Sequence, residues 1–212
     1  MRIKSIIIEL LSGRYSAYKQ FKQELGYLDS SAHIDMPDSC SCPSKIFLYK
    51  NTVVRGNSRF IITKHGDLGK FIMMENSGAA VGLTVITGNH NFNVLGKNVL
   101  SSGREYDIDR DLVVHEDAWI GANVTLTSGS DLGRGCVVAA GSVVLGQIIP
   151  PYAIVAGSPA KIIGFRFTPE EIVEHERLLY NEDNRIPLEL LEKNYEKYFL
   201  KRLKEIKEYT RL

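Results

Sequence analysis

Cysteine is scarce in this chain of 212 residues: Cys40, Cys42 and Cys136 are all there are. Three thiols cannot build a disulfide framework, and Cys40 and Cys42 stand too close to pair comfortably. No His or further Cys stands at zinc-site spacing around them, so a structural zinc site is not expected. A reducing, cytoplasmic setting follows from that usage. Charge of one sign is also missing. Lys and Arg number 26 against 25 Asp and Glu, for a net charge of +1, which gives nucleic acid or an anionic membrane no electrostatic hold. No apolar run approaches the ~20 residues of a membrane span. The opening MRIKSIIIELLSG has basic residues ahead of an apolar run, yet it carries Glu9 and no small-residue cleavage site, so it does not read as a signal peptide. What remains is a single soluble domain with helical appendages, long enough to bury a core.

What the chain does have is a beat of six. Val114, Ile120, Leu126, Leu132, Val138 and Val144 are aliphatic and fall six residues apart. Two places ahead of each next beat come Ala118, Val124, Ser130, Cys136, Ser142 and Ile148, mostly small. Six fits neither a helix nor a two-sided strand. It fits a chain that makes a short strand, turns and repeats, so that three strands close a triangular coil of about 18 residues. Each beat residue then stacks on its counterpart one coil away, at the ~4.8 Å spacing of paired strands. Gly121 and Gly133, just after beat residues, are read as supplying backbone freedom at corners.

The same beat shows more weakly upstream, at Leu48, Val54 and Phe60 and again at Met73, Ala79 and Val85, interrupted near Lys64 to Gly69. It breaks at Gly88-Asn89, and an excursion over about 91–110, rich in Gly, Ser, Asn and Asp, separates it from Val114. A loop of that length inside a compact domain is usually functional. Residues 1–30 carry a helical stripe (Ile3, Ile7, Leu11, Tyr15, Tyr18, Phe21, Leu25, Leu28) suited to covering one end of the coil. The coil domain is expected over 31–165, with Ile154 to Gly164 as one more partial turn. Helices follow over 166–212. Thr168-Pro169-Glu170-Glu171 is a capping-box start, and Pro187 opens a second helix with Leu188, Leu191, Tyr195, Phe199, Leu203 and Ile206 on one face.

The runs WIGANV, VVAAGSVV and IPPYAIVAGSPAKII resemble the hexapeptide-repeat acyltransferases, most nearly the sugar and polysaccharide O-acetyltransferases, over roughly residues 45–165. The resemblance implies a mainly β fold, a left-handed parallel β-helix, assembled as a homotrimer with each site between two subunits. It implies acetyl-coenzyme A as co-substrate, no metal, and a small-molecule or sugar acceptor acetylated by direct transfer. N-acetylation of an amino sugar or an antibiotic is the alternative, and a non-catalytic β-helix scaffold is the rival outside enzymes. A zinc-dependent carbonic anhydrase on the same fold needs two closely spaced histidines, and none stand so.

Taking a proton from an attacking acceptor suits histidine, whose ordinary pKa of ~6.5 lies near working pH. Of His33, His65, His90, His115 and His175, His90 stands where the coil breaks into the excursion, the place that the family's catalytic histidine occupies. Asn89 and Asn91 flank it as candidates for substrate binding or for orienting its ring. His115, just after a beat residue, points outward. By resemblance the cofactor's pantetheine arm lies along small residues at Ala122 and Ala140, and Lys161 meets a phosphate as a point charge. Relatives often carry Thr-Lys-Asp where this chain has Leu145-Gly146-Gln147, and a basic residue where it has Gly164. Arg166 is therefore a candidate replacement contact, and Trp119 is expected to shape the groove.

Overall fold

The computed structural model describes residues 13, 15–103 and 109–209, the last four by their backbone alone. Residues 1–12 of the expected N-terminal helix, part of the excursion at 104–108 and the last three residues lie outside that description. The first described helix, α1 (residues 15–24), ends before Leu25. Its Phe21 is buried against the core, and the Tyr18 hydroxyl donates to the Ile34 carbonyl at 2.6 Å.

Three parallel faces follow, each formed by every third strand. The first holds β1 (Tyr27–Leu28), β4 (Ile46–Leu48), β7 (Phe71–Met73), β10 (Leu112–Val114), β13 (Asp131–Leu132) and β16 (Ile148–Ile149). The second holds β2 (His33–Ile34), β5 (Val53–Val54), β8 (Gly78–Ala79), β11 (Trp119–Ile120), β14 (Val137–Val138) and β17 (Ala153–Ala156). The third holds β3 (Ser39–Cys40), β6 (Arg59–Ile61), β9 (Thr84–Ile86), β12 (Thr125–Thr127) and β15 (Val143–Val144). The coil thus begins at Tyr27, inside the stretch expected to be helical.

The beat residues form continuous inward columns. Leu48, Met73, Val114, Leu132 and Ile149 stack on the first face. Val54, Ala79, Ile120, Val138 and Val155 stack on the second. Phe60, Val85, Leu126 and Val144 stack on the third. All are buried, and each large aliphatic contributes about 1.5–3 kcal/mol by leaving water. The weak upstream beat is thus in register with the strong one, and the two interruptions are insertions at the corner between the third face and the first.

Corners demand a left-handed residue at a fixed place in each coil. Asn51, Asn76, Asp117, Gly135 and Tyr152 supply it between the first and second faces, and Asn57, Gly82, Asn123 and Gly141 between the second and third, all at positive φ; Gly157, also at positive φ, follows β17. Asn and Asp tolerate that region with little cost. Gly121 and Gly133 do something else. Neither has positive φ, but a Cβ on Gly121 would lie 2.6 Å from the Ala140 backbone N, and one on Gly133 2.6 Å from the Ile149 carbonyl oxygen. They let successive coils approach.

The sixth coil departs from the repeat. Leu132 pairs with Ile149, 17 residues on, where Val114 pairs with Leu132 at 18, so Ile148, expected at a small position near a corner, is 79% exposed. Residues 154–164 are no partial turn either. β18 (Lys161–Phe165) runs back antiparallel along β17 and closes the second face. After it comes α2 (Pro169–Leu179), whose N-terminus carries the reciprocal capping box between Thr168 and Glu171. α3 (Leu188–Tyr195) follows, then a π turn (Glu196–Leu200) and α4 (Lys201–Tyr209).

A buried carboxylate fastens these helices to the coil. Glu176 of α2 is 1% exposed. It accepts from the Tyr152 hydroxyl at 3.1 Å, from Arg134 Nη1 at 3.3 Å and from the Ile186 backbone N–H at 2.5 Å. Arg134 also reaches Glu116 at 3.3 Å and the Asn184 carbonyl at 2.7 Å. Burial opposes the Arg134 charge, but Glu176 and Glu116 outweigh it and hold the guanidinium above its usual pKa. Tyr152, Ile172 and Leu191 form the small apolar cluster beside this network.

Candidate active site

The third face positions His90. β9 ends at Ile86, and the chain then leaves the coil through Thr87 and Gly88. The Thr87 hydroxyl donates to the Gly69 carbonyl at 2.7 Å, and a Cβ on Gly88 would meet the Thr63 backbone at 3.1 Å. The exit is therefore held against the previous insertion. His90 itself is exposed, while its neighbours are pinned. Its backbone N–H donates to Asn89 Oδ1 at 2.8 Å, and the Asn89 N–H donates to Asp109 Oδ1 at 3.3 Å. Asp109, on the returning leg, is 1% exposed. On the other side Asn91 is buried, the Ser102 hydroxyl bonds its carbonyl oxygen, and its Oδ1 accepts from the Asn93 N–H at 3.4 Å. Its Nδ2 is buried without a hydrogen-bond partner among the described residues. The returning leg is fixed too, through the Arg110 N–H on Ser128 Oγ at 2.7 Å and Asp111 Oδ1 on the Lys70 N–H at 2.9 Å.

The other histidines are differently placed. His115 lies on the first face with Nε2 2.9 Å from Asp131 Oδ1. His33 pairs with Asp35 at 2.8 Å. His175, on α2, has its Nε2 buried without a hydrogen-bond partner among the described residues, 3.9 Å from Asp117 Oδ2. Among the described residues no group of three His, Cys, Asp or Glu side chains is arranged to hold a metal. Cys136 is buried, and burial pushes its thiol up to about 12.

Ala122 and Ala140 lie on the edge between the second and third faces, in successive coils, with the Gly141 N–H bonded to the Ala122 carbonyl at 2.8 Å. Their small side chains leave that edge lined by backbone. His90 belongs to the edge between the third face and the first. A single prism therefore holds the histidine and the alanines on different edges. Lys161 opens β18 one coil beyond Ala140 and is exposed beside a cavity of about 490 Å³ under the π turn. Arg166 does not face that cavity. It is taken up by Asp117 at 2.7 Å and the Gly135 carbonyl at 3.0 Å and lies over the Phe167 ring. Trp119 lies half exposed on the flat second face, with its ring where a Cβ on Gly78 would intrude at 3.0 Å. Asp109 was not legible as a site residue, because nothing in the excursion's composition marks one of its acids as buried. The capping cavity was equally hidden.

This architecture agrees with what is known of other chains. Residues 111–146 match the bacterial transferase hexapeptide family (six repeats). A probable macrolide acetyltransferase of Lysinibacillus sphaericus is 36% identical over 106 residues, covering 49% of this chain and 56% of that one. Serine acetyltransferase 4 of Arabidopsis thaliana is 35% identical over 112 residues, 51% of this chain and 31% of that one. Among solved structures, a galactoside acetyltransferase in complex with coenzyme A superposes with a TM-score of 0.58 at 20% identity, covering 80% of this chain and 76% of that one. The chain thus spans about half the length of the first of these sequence relatives and less of the second. The repeat is the bacterial transferase hexapeptide, and the fold is the left-handed parallel β-helix of the hexapeptide-repeat acetyltransferases.

Proposed function

We propose that the protein transfers an acetyl group from acetyl-coenzyme A to a hydroxyl of a sugar, in surface-polysaccharide assembly in the cytoplasm. The observation that carries this reading is the placement of His90, an exposed imidazole whose two neighbours, Asn89 and Asn91, are tied to Asp109 and Ser102 of one excursion. His90 is the general base. It accepts the hydroxyl proton as the acceptor oxygen attacks the thioester carbonyl carbon. Collapse of the tetrahedral adduct forms the ester and breaks the C–S bond, and the coenzyme A thiolate leaves and takes up a proton. Asn89 and Asn91 hold the acceptor or the ring, Ala122 and Ala140 leave room for the pantetheine arm, and Lys161 meets a phosphate. Because the histidine and the alanine edge lie on different edges of one prism, the working unit is a homotrimer whose sites combine two copies.

The test is turnover of His90→Ala against His115→Ala, with coenzyme A release followed over a panel of acceptors. Loss of a general base typically costs 10²–10⁴-fold, and for His90→Ala that loss is expected in kcat with coenzyme A affinity retained. His115→Ala is expected to cost less than threefold. Near-normal turnover without His90, or a larger loss at His115, defeats the assignment.

A further inference from the structure

The C-terminal helices have so far only capped the coil. We infer that they also build the binding site for the phosphate-bearing nucleotide end of the cofactor, with Lys197 of the π turn acting beside Lys161. This inference rests on the acetyl-coenzyme A reading above.

Two cavities run end to end beneath α3 and the π turn and share Ile148, Ile149 and Tyr198. The larger, about 560 Å³, contains two carboxylates, Glu116 and Asp131, and both are occupied, by Arg134 and His115. The smaller, about 490 Å³, has no carboxylate in its wall. It has Lys161 on β18 and Lys197 facing it from the π turn, and among the described residues neither lysine has an ion-pair partner. The wall thus offers two point charges of one sign and no competing carboxylate, a lining that suits a phosphate.

The rest of the wall suits a base or a sugar. Ile148 is exposed because the sixth coil slips by one residue, and it forms the ridge between the two cavities. Tyr198 lines both cavities with it, and the Lys197 ammonium lies 4.6 Å from the Tyr198 ring centroid. An apolar ridge, an aromatic ring and two lysines in a few hundred Å³ are what a nucleotide with charged phosphates needs. The chain has no basic residue on the 145–147 corner, and the helix brings one to that corner's side of the cavity.

Binding of coenzyme A and of adenosine 3′,5′-bisphosphate, measured calorimetrically for the wild type, Lys197→Ala and Lys197→Arg, decides the matter. Lys197→Ala is expected to weaken both ligands five- to tenfold, Lys197→Arg less than twofold, and the difference is expected to shrink at high salt. If the wild type binds coenzyme A and Lys197→Ala binds both ligands as tightly, this inference fails and the acetyltransferase reading stands. If the wild type binds neither ligand, both fall together.

Discussion

Glu176→Ala is the substitution that asks most of this fold. It removes a carboxylate that three groups share: the Tyr152 hydroxyl, Arg134 and the Ile186 N–H. Removing one partner of a buried charged pair costs about 3–5 kcal/mol. Arg134 keeps Glu116 and the Asn184 carbonyl, which places the loss near the lower end, about 3 kcal/mol. The damage is local. Glu176 joins α2 to the coil through Tyr152 and to the entry of α3 through Ile186, whereas the inward columns do not touch it. Hydrogen exchange followed by mass spectrometry reads this directly. At ~1.4 kcal/mol per factor of ten, amides of α2 and α3 are expected to exchange about a hundredfold faster while those of β10 to β15 keep their protection. Glu176→Gln still accepts hydrogen bonds and is expected to lose about 1–2 kcal/mol. Unchanged exchange in the helices, or equal loss across coil and helices, refutes the view that Glu176 is their anchor.

Gly121→Ala forces a Cβ into the Ala140 and Val138 backbone, and overpacking of this kind is expected to cost about 1–3 kcal/mol in urea unfolding. Gly141→Ala meets open space at φ +72° and carries only backbone strain, about 1 kcal/mol; the reverse order would show that φ, not coil spacing, governs both. Cys136 is expected to resist thiol reagents at pH 8 in the native state and to react after unfolding. The folded state holds its proton more tightly than the unfolded chain, so its contribution is complete below about pH 9 and is lost as pH rises towards about 12. Alkaline unfolding of Cys136→Val, compared with the wild type, checks that sign.

The columns were readable because stacking needs the same aliphatic in the same place every coil, and Val114 to Val144 supply it without interruption. The upstream register was readable for the same reason, since Met73 still falls opposite Leu48 whatever is inserted between them. The corners were less so. Their rule concerns φ, and Asn51, Asn76, Asp117 and Tyr152 meet it as well as glycine does. Tyr152 could not be foreseen there at all: an aromatic at positive φ persists because its hydroxyl and ring are committed to Glu176, Phe167 and His175. The hairpin of β17 and β18 was missed because alternating apolar residues serve a returning antiparallel strand as well as another coil. Asp109 was missed because its burial depends on two loop legs meeting, and no spacing encodes that.

The places where the repeat is given up are also the places where chemistry is available. Between Leu112 and Val144 every inward position is filled and every coil matches the next, so the interior has nothing to offer a ligand; only the backbone-lined edge at Ala122 and Ala140 remains. The excursion before Leu112 gives up six-residue stacking, and it carries an exposed histidine with both neighbours held. The slip after Val144 gives it up again, and it turns Ile148 outward into a cavity lined by Lys161 and Lys197. A sequence that agrees with its fold at every level departs from it where function requires. Here the two departures lie at opposite ends of the regular segment, both at the corner between the third face and the first, whereas Ala122 and Ala140 line the corner between the second and the third. On the reading proposed above, Ala122 and Ala140 of one copy would have to face the excursion of another, and mixed oligomers of His90→Ala and Lys161→Ala chains are expected to recover part of the activity that each variant lacks alone.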